Sequence, residues 1–536
     1  MWKQILSDKK ISFVIVTLAI VARLIHIVFF YNIRVDGMYQ MLAMQNFVAG
    51  HGFSSSYVLP TDLSSIIYEP QINWPPGYSL LLAPFYLLLN QNFIYAGIAL
   101  ELLGAIGFIF ITRRLLNQLS VPGHLINAFT IFTCFFIYPF YLICSSDAVA
   151  VTFLLFAISN SIKLIQSQKN YLKLSFGIVI LLFLTGINKY LFIPIIFIVP
   201  ILMYLKANAD RNYDLKKSST YIFSFLVISI CSLLLWQKMN SGAATYISSG
   251  ERGFFPENIL GSYPAIPASF INTETVSMAL GNHATTQLTI FRLFQLLHFG
   301  TFLFACIFFI RFVFTHGFQN ISIKKYFFTT TFLISAAIIG LLTFLSLFVG
   351  KEENYPGHWW SYVDEPRYYG ALIILLQLSC FVFYAAKTNT NKKYRIFIFV
   401  VFLLLSVETF RGFIFTARRV INAGKETYSW QQEKEIQDYA DALIKNQLQK
   451  NPGYKAVVTG SSYYIFYRVG MNSKIPVMIE TTPLKKMSNL TSKKPVLLFI
   501  ITTDGDEIDF NLYNQTTIIG KNGDYNFYML KIEPSH

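Results

Sequence analysis

The sequence has 536 residues, of which 54% are hydrophobic and 17% aromatic, while only 13% are charged. Because a soluble domain carries about 25% charged residues, this composition excludes an ordinary soluble protein and indicates that much of the surface faces lipid. The net charge of +15 does not indicate nucleic-acid binding, since the basic residues form short clusters between apolar segments.

The first apolar segment, Ile11–Phe30, follows Lys9 and Lys10 and is about as long as a membrane span requires. The residues after it do not form a small-residue cleavage site, so we interpret the segment as an uncleaved signal anchor. A polar and aromatic stretch, residues 31–78, comes next and is expected on the outer side of the membrane.

A carboxylate lies just beyond this span, in the segment Asp36-Gly37-Met38-Tyr39, where a loop is expected to lead into a helix over Tyr39–Ala49. At the membrane surface, Asp36 suits a general base that accepts a proton from an acceptor hydroxyl. An aspartate at this position equally suits a helix cap. The residues alone leave both interpretations open.

The segment Trp74-Pro75-Pro76-Gly77-Tyr78 predicts a rigid turn at the start of a helix, because proline is tolerated in the first helical turn. The apolar residues that follow, Leu80–Leu89, are too few to cross a membrane, so we expect an interfacial helix. A helix start does not exclude a functional position for the turn.

About eleven membrane spans are predicted by hydropathy. The basic clusters between them fall on the side that holds Lys3, Lys9 and Lys10, which predicts a cytoplasmic N-terminus and an outer C-terminus. Every long polar loop then lies outside. After the first span, the predicted spans are Phe93–Thr112, His124–Ile143, Ala148–Ile165, Leu172–Ile187, Leu191–Leu205, Thr220–Trp236, Thr289–Arg311, Phe327–Val349, Tyr369–Ala386 and Ile396–Phe415.

Asp147 lies on the outer side, where one predicted span ends and the next begins. A charge at the membrane edge is costly, so we expect this residue to have a partner or a function. One interpretation is a cap for the following helix. The other is a divalent metal shared with Asp36, although two carboxylates alone are a weak metal signal.

Two cations, Lys189 and Arg367, lie outside against the general charge bias. Either suits a phosphate group, and arginine binds phosphate through its planar fork. The alternatives are that Lys189 snorkels from a helix end and that Arg367 pairs with the neighbouring Asp364 or Glu365.

The predicted outer loop Gln237–Gln287 contains His283. A structureless loop of this length is usually a functional lid, whereas a single histidine is more often structural than catalytic. We therefore expect the loop to border a site and assign His283 to its lining.

The tail changes character after about residue 420. Trp430–Gln449 predicts an amphipathic helix, and Ala456–Thr459, Val496–Thr502 and Asn526–Ile532 predict strands. The length suits a small α/β domain outside the membrane.

Four short motifs, in this order, resemble the GT-C superfamily of integral-membrane glycosyltransferases. Within it, the closest resemblance is to the protein O-mannosyltransferase and lipid A aminoarabinose transferase group. The motifs are Asp36-Gly37-Met38-Tyr39, Trp74-Pro75-Pro76-Gly77-Tyr78, Asp147 and Pro366-Arg367-Tyr368-Tyr369. The resemblance covers the membrane part and implies a GT-C-like catalytic domain over residues 1–420, with an extracytoplasmic α/β domain over residues 421–536.

The resemblance implies inverting transfer of a sugar from a polyprenyl-phosphate donor to a cell-envelope lipid, glycan or protein, at the outer face of a bacterial inner membrane. Asp36 would be the catalytic base. Arg367 and Tyr368 would bind the donor phosphate. Lys189 is assigned to the same phosphate because of its position on the outer side. The residues lining the site would be Tyr39, Trp74, Pro75, Pro76, Tyr78 and His283, with Asp147 as the candidate ligand of a divalent metal.

Two positions depart from that group. Trp74 stands where the aminoarabinose transferases carry a lysine, and Gly37 follows Asp36 where the mannosyltransferases have a second acidic residue. The acceptor of those relatives is therefore not transferred to this chain.

Other function classes remain open at this point. A flippase or transporter of lipid-linked glycans would carry ionisable residues within its spans, for which Glu101, Arg292 and Glu408 are the candidates. An O-antigen ligase or polymerase would use a diphosphate donor, and an assembly factor would bind through the outer tail.

Overall fold

The computed structural model describes residues 9–30, 35–135, 146–167, 171–242, 254–281, 283–317, 321–348, 366–387, 392–422, 430–461, 463–478, 490–503 and 516–534. The chain divides into two compact units. The first unit is Met1–Val28 with Glu101–Ile421, and the second is Phe29–Leu100 with Asn422–His536.

Ten helices of the described chain are long and apolar enough to cross a membrane, and large apolar side chains such as Leu172, Phe304 and Phe314 remain exposed on them. Such exposure suits lipid rather than water, so the predicted polytopic helical membrane architecture is confirmed. The helices are Lys9–Phe30, Val35–Val48, Gly77–Leu88, Phe93–Gln118, Gly123–Phe135, Ser146–Gln166, Tyr171–Asn188, Phe192–Ile196, Ile198–Ala209, Tyr213–Ser241, Ala265–Ala268, Thr273–Ala279, Ala284–His316, Ile323–Phe348, Gly370–Lys387, Lys392–Ile421, Trp430–Lys450 and Tyr463–Ser473.

Two predicted apolar segments form short helices in the described chain. The described part of His124–Ile143 is the 13-residue helix Gly123–Phe135, and residues 136–145 lie outside the described chain. Gly77–Leu88 is a 12-residue helix that begins directly after Pro76, as the proline turn predicts. It is too short to cross a bilayer.

The segment Gln237–Gln287 is not structureless, contrary to the sequence-based expectation. A 3-10 turn, Pro256–Gly261, and two short helices, Ala265–Ala268 and Thr273–Ala279, occupy its described residues. Hydropathy missed them because each has only four to seven residues, and because the flanking helices extend beyond their apolar cores.

Charged side chains hold this segment against the long helices. The buried Glu408 accepts a hydrogen bond from the Asn272 backbone N–H at 2.8 Å, and Arg411 pairs with Glu274 at 3.0 Å. Arg292 donates to the Leu260 carbonyl. Arg292 and Glu408, two candidates for a transport pathway, therefore fix a folded segment in place.

The second unit contains a seven-stranded sheet with the order β2-β1-β4-β3-β5-β7-β6. Strands β1, β4, β3 and β5 run parallel, and an antiparallel neighbour flanks them on each side. Strand β5 is buried along most of its length, as is usual for a parallel strand. The strands are β1 Ser54–Leu59, β2 Asp62–Pro70, β3 Lys455–Gly460, β4 Val477–Met478, β5 Val496–Thr503, β6 Thr517–Asn522 and β7 Tyr525–Ile532.

The β1–β2 hairpin was not predicted, and it belongs to the same sheet as the tail. Tyr57 pairs with Val477, and Val58 pairs with Met478. Val58 also packs in one apolar cluster with Leu498 of β5. The stretch after the first span is thus part of the α/β fold rather than a separate polar loop.

Helix Tyr463–Ser473 approaches the sheet closely at Gly470. A Cβ atom there would lie 2.6 Å from Cγ2 of Val477 and 3.1 Å from the carbonyl oxygen of Ile475. Since overpacking of a filled core costs about 1–3 kcal/mol, Gly470→Ala is expected to lower the thermal unfolding midpoint of the purified protein. Gly340→Ala, whose new methyl group meets open space, is the control. Equal midpoints for the two variants would contradict this packing.

Candidate functional site

A buried ion pair joins Asp147 and Lys189 in the first unit. Nζ of Lys189 lies 3.1 Å from Oδ1 and 3.3 Å from Oδ2 of Asp147, and the two side chains are only 10% and 9% exposed. Lys189 therefore does not extend into solvent from a helix end. Asp147, predicted to have a partner or a function, has this partner.

Helix geometry explains why these two charges are tolerated at this position. Asp147 lies in the first turn of Ser146–Gln166, and Lys189 directly follows the last residue of Tyr171–Asn188. An anion at a helix N-terminus and a cation at a C-terminus are each favoured by the helix dipole.

A second cation lies beside the pair. Nζ of Lys189 is 4.4 Å from the ring centroid of Tyr368, and Cζ of Arg367 is 4.9 Å from the same ring. Nη2 of Arg367 donates to the Tyr368 hydroxyl at 3.1 Å. We call Asp147, Lys189, Arg367 and Tyr368 the cation cluster. Asp364 and Glu365, the alternative partners considered for Arg367, lie outside the described residues.

The cation cluster suits an anion. It brings two cations together on one ring, and the planar guanidinium of Arg367 can form two parallel hydrogen bonds to a phosphate group. Lys189 and Arg367 both lie over the Tyr368 ring, and each is attracted to it by a cation–π interaction.

The residue after Lys189 is anchored as well. The Tyr190 hydroxyl accepts a 2.6 Å hydrogen bond from Nε2 of Gln237, and burial raises the pKa of Tyr190 to about 12. The phenol therefore stays neutral at physiological pH and holds the turn that presents Lys189.

Asp36 lies in the second unit, in the first turn of helix Val35–Val48. The expectation of a loop that becomes helical only at Tyr39 is therefore wrong. The helix starts earlier because an acidic residue in a first turn is favourable. Tyr39 follows three positions later, on the same side of the helix as Asp36.

Aromatic rings surround Tyr39. Its ring stacks on Trp74 with centroids 5.2 Å apart, and it meets Tyr467 edge-on at 5.6 Å. Burial raises the pKa of both the Tyr39 and the Tyr467 hydroxyl. Nearby, burial and the charge of the neighbouring Glu69 carboxylate raise the pKa of Tyr57. Sequence reasoning missed Tyr57, Glu69 and Tyr467, because only the sheet brings them to this place.

Most residues of the proline turn are buried. Pro75 and Pro76 are buried, Tyr78 is 0% exposed, and Oγ of Ser79 donates to the Gln40 carbonyl at 2.7 Å. This turn therefore locks helix Gly77–Leu88 to the Asp36 helix, with Trp74 as its half-buried residue. The role of these residues as site lining stays a prediction.

The last residue predicted to line the site is His283. His283 is exposed and precedes helix Ala284–His316 without forming a side-chain cap. Among the described residues, no group of three or more His, Cys, Asp or Glu side chains is placed to hold a metal ion. Asp147 faces an ammonium group instead, which does not favour a divalent cation there, and a metal requirement stays a prediction.

Glu101 lies at a small cavity within the spans. Arg23 and His26 line the same cavity of about 40 Å³, and Nη2 of Arg23 donates to the Thr133 carbonyl at 2.8 Å. A cavity of this size holds a few water molecules. Glu101 thus has basic neighbours that the sequence did not reveal.

Solved structures share this fold. No protein-family model and no curated protein sequence matches the chain. ArnT from Cupriavidus metallidurans, solved bound to undecaprenyl phosphate, is 11% identical, with 96% of this chain and 97% of that chain covered at a TM-score of 0.52. Arabinofuranosyltransferase AftD from Mycobacteria is 10% identical, with 98% of this chain and 40% of that chain covered at a TM-score of 0.50. Both are GT-C glycosyltransferases, so the GT-C-like fold predicted from the sequence is confirmed.

Proposed function

We propose that this protein is a membrane glycosyltransferase that transfers a sugar from a polyprenyl-phosphate donor to a cell-envelope lipid, glycan or protein. The observation that carries the proposal is the cation cluster, in which Lys189 and Arg367 lie on one tyrosine ring at the ends of apolar helices. A lipid phosphate would suit both features, because its anionic head would bind the two cations and its apolar tail would lie against the apolar helices.

In this reaction the cation cluster would act on the leaving group. When the bond between the sugar anomeric carbon and the phosphate oxygen breaks, its electron pair passes to polyprenyl phosphate. Lys189 and Arg367 stabilise the negative charge that develops there, because preorganised donors are most effective in a site shielded from water.

Asp36 would act on the acceptor. Its carboxylate accepts the proton of the acceptor hydroxyl while that oxygen forms the new bond to the anomeric carbon. Attack opposite the leaving phosphate inverts the anomeric centre.

One comparison supports the choice of donor, and a second supports the class of reaction. ArnT, which shares the fold over nearly the whole of both chains, was solved with undecaprenyl phosphate bound, and AftD is named an arabinofuranosyltransferase. For this chain we propose the bacterial inner membrane as the location, with the N-terminus in the cytoplasm and the sheet unit outside, in agreement with the positive-inside rule.

A panel of donors tests the proposed function. The purified protein in lipid nanodiscs is incubated with polyprenyl-phosphate sugars and, separately, with polyprenyl-diphosphate glycans. We expect release of polyprenyl phosphate from a monophosphate donor. Turnover of diphosphate donors alone would favour a ligase or polymerase, and no turnover of either would contradict the enzyme assignment. Repeating the positive reaction with a chelator tests the metal requirement.

Arg367→Lys is expected to raise the donor KM by about tenfold to a hundredfold. Lysine keeps the charge but loses the planar fork, and hydrogen bonds to charged groups contribute about 1.5–3 kcal/mol. Arg418→Lys, at an exposed position of the same unit, is the matched control. An unchanged donor KM in Arg367→Lys, measured in the same assay, would remove Arg367 from the donor site.

A further inference from the structure

Buried polar side chains on three long helices fix a short, mostly irregular stretch of the first unit, residues 262–272. We name these residues the bridging segment. Buried backbone polar groups require hydrogen-bond partners, and the three helices supply them. Nε2 of Gln295 donates to the Ser262 carbonyl at 2.8 Å, and Nε2 of Gln377 donates to the Ser269 carbonyl at 2.8 Å. Nδ1 of His298 accepts from the Ile266 N–H at 3.2 Å, and Oε1 of Glu408 accepts from the Asn272 N–H at 2.8 Å.

The bridging segment brings Tyr263 to the turn that carries two residues of the cation cluster. Tyr263 and Tyr369 are each 1% exposed, and their ring centroids lie 5.8 Å apart. Tyr369 is the last residue of the 3-10 turn Pro366–Tyr369. Rings at this separation attract each other in addition to burying apolar area, so Tyr263 stabilises the position of this end of the turn.

The same turn presents Arg367 and Tyr368 to Lys189. Its first and last residues, Pro366 and Tyr369, are buried, whereas the two residues between them are half-buried. The anchored ends of the turn therefore hold Arg367 and Tyr368 in place. Because a guanidinium forms two parallel hydrogen bonds to phosphate in one orientation only, a rotation of this turn would weaken the proposed phosphate contact.

We infer that Tyr263 is a positioning residue for the proposed donor phosphate: through Tyr369 it sets the orientation of Arg367 and Tyr368. The inference rests on the proposed function and extends it, because it makes the bridging segment a support of the donor site. The ligand concerned is the phosphate group at the head of a polyprenyl lipid.

Tyr263→Leu tests this inference, since it removes the ring and keeps an apolar side chain. Binding of undecaprenyl phosphate to the purified full-length protein is measured by calorimetry in detergent. We expect the affinity to fall about tenfold, as when a hydrogen bond to a charged group is weakened. Tyr263→Phe keeps the ring and should bind like the wild type. Wild-type affinity in Tyr263→Leu would overturn the inference.

Phe327→Leu is the control for the loss of a buried ring. Phe327 is 0% exposed and lies near the start of helix Ile323–Phe348, about 30 Å along the helix from Phe348. The Phe255 N–H donates to the Leu347 carbonyl near that far end. Both leucine variants should lower the unfolding midpoint, but only Tyr263→Leu should weaken lipid binding. An equal fall in affinity would indicate a general loss of structure and reject the positioning role.

A second variant releases the bridging segment at another place. Gln377→Leu leaves the buried Ser269 carbonyl without the side chain that donates to it, and we expect it to weaken undecaprenyl phosphate binding in the same direction as Tyr263→Leu. It provides the test if Tyr263→Leu does not fold. Unchanged binding in a folded Gln377→Leu protein would show that the bridging segment does not support the donor site.

A double-variant cycle shows whether Tyr263 acts through Arg367. In an Arg367→Ala protein, Tyr263→Leu should cause little further loss of affinity, because the side chain that it positions is absent. If the two losses simply add, Tyr263 acts by another route and the inference is wrong.

Hydrogen–deuterium exchange separates this inference from the proposed function, because it requires no lipid. We expect the first amides of helix Gly370–Lys387 to exchange about threefold to tenfold faster in Tyr263→Leu, in line with the strength of one aromatic pair. Phe327→Leu should leave them unchanged. A wild-type protein that binds no undecaprenyl phosphate would contradict the proposed function, whereas wild-type binding with equal exchange in both leucine variants would reject only the role of Tyr263.

Discussion

Replacing Asp36 by asparagine is expected to lower sugar transfer by about 10²- to 10⁴-fold, the range usually associated with loss of a general base. Asparagine has nearly the same shape and tolerates the first helical turn, but its amide cannot accept the acceptor proton. The donor KM should stay close to that of the wild type, because the proposed phosphate contacts lie on other residues. Initial rates at saturating donor measure the effect.

The control for this variant is Asp438→Asn. Asp438 is an exposed helical carboxylate that pairs with Lys434 in the same unit, so the substitution makes the same charge change away from the proposed site. Asp36→Asn protein must also show the wild-type unfolding midpoint. Full activity in a folded Asp36→Asn protein would show that another group takes the proton.

Asp147→Ala is expected to destabilise the protein by about 3–5 kcal/mol, because it leaves the buried Lys189 ammonium without its carboxylate. The side chains of both residues are at least nine-tenths buried, so water does not replace the lost partner easily. Thermal or denaturant unfolding in detergent measures the loss. A midpoint equal to that of the wild type would show that the charges are solvated.

A double variant separates stability from function at this pair. Asp147→Leu combined with Lys189→Met replaces both charges by apolar groups, which is often neutral or stabilising at buried sites. We expect this protein to recover most of the stability lost in Asp147→Ala. It should still bind the donor poorly, because one of the two proposed phosphate cations is missing. Normal donor binding by the double variant would reduce Lys189 to a structural role.

The membrane helices could be predicted from the sequence because hydropathy is a local property. Ile323–Phe348, for example, differs from the predicted span Phe327–Val349 only at its ends. The end positions depend on capping and on contacts with neighbouring segments, which hydropathy does not contain. For the same reason the short polar helix Thr273–Ala279, which Glu408 holds from a distant helix, was missed.

The charged residues of the candidate site were predicted only in part. Charge bias identified Lys189 and Arg367 as unusual, and the cost of a charge at the membrane edge identified Asp147. These side chains come together around Tyr368 because of the way three helices pack. No single segment of the sequence contains the information that determines this packing. Tyr467, whose ring meets that of Tyr39, gave no local signal at all, because the sheet brings it there from a distant part of the chain.

That sheet has a consequence for synthesis. Val58 pairs with Met478, a partner 420 positions later in the chain. At about 5–20 residues per second, translation between them takes roughly 20–80 s. During this time one edge of the β1–β2 hairpin has no partner strand, and such edges promote aggregation. The serines of β1, together with Asp62 and Glu69 in β2, are residues of the kind that keep a waiting strand soluble. The polar composition of the hairpin is the reason that it was not predicted as part of the sheet. The same composition is well suited to keep the nascent protein soluble until its C-terminal strands have been synthesised.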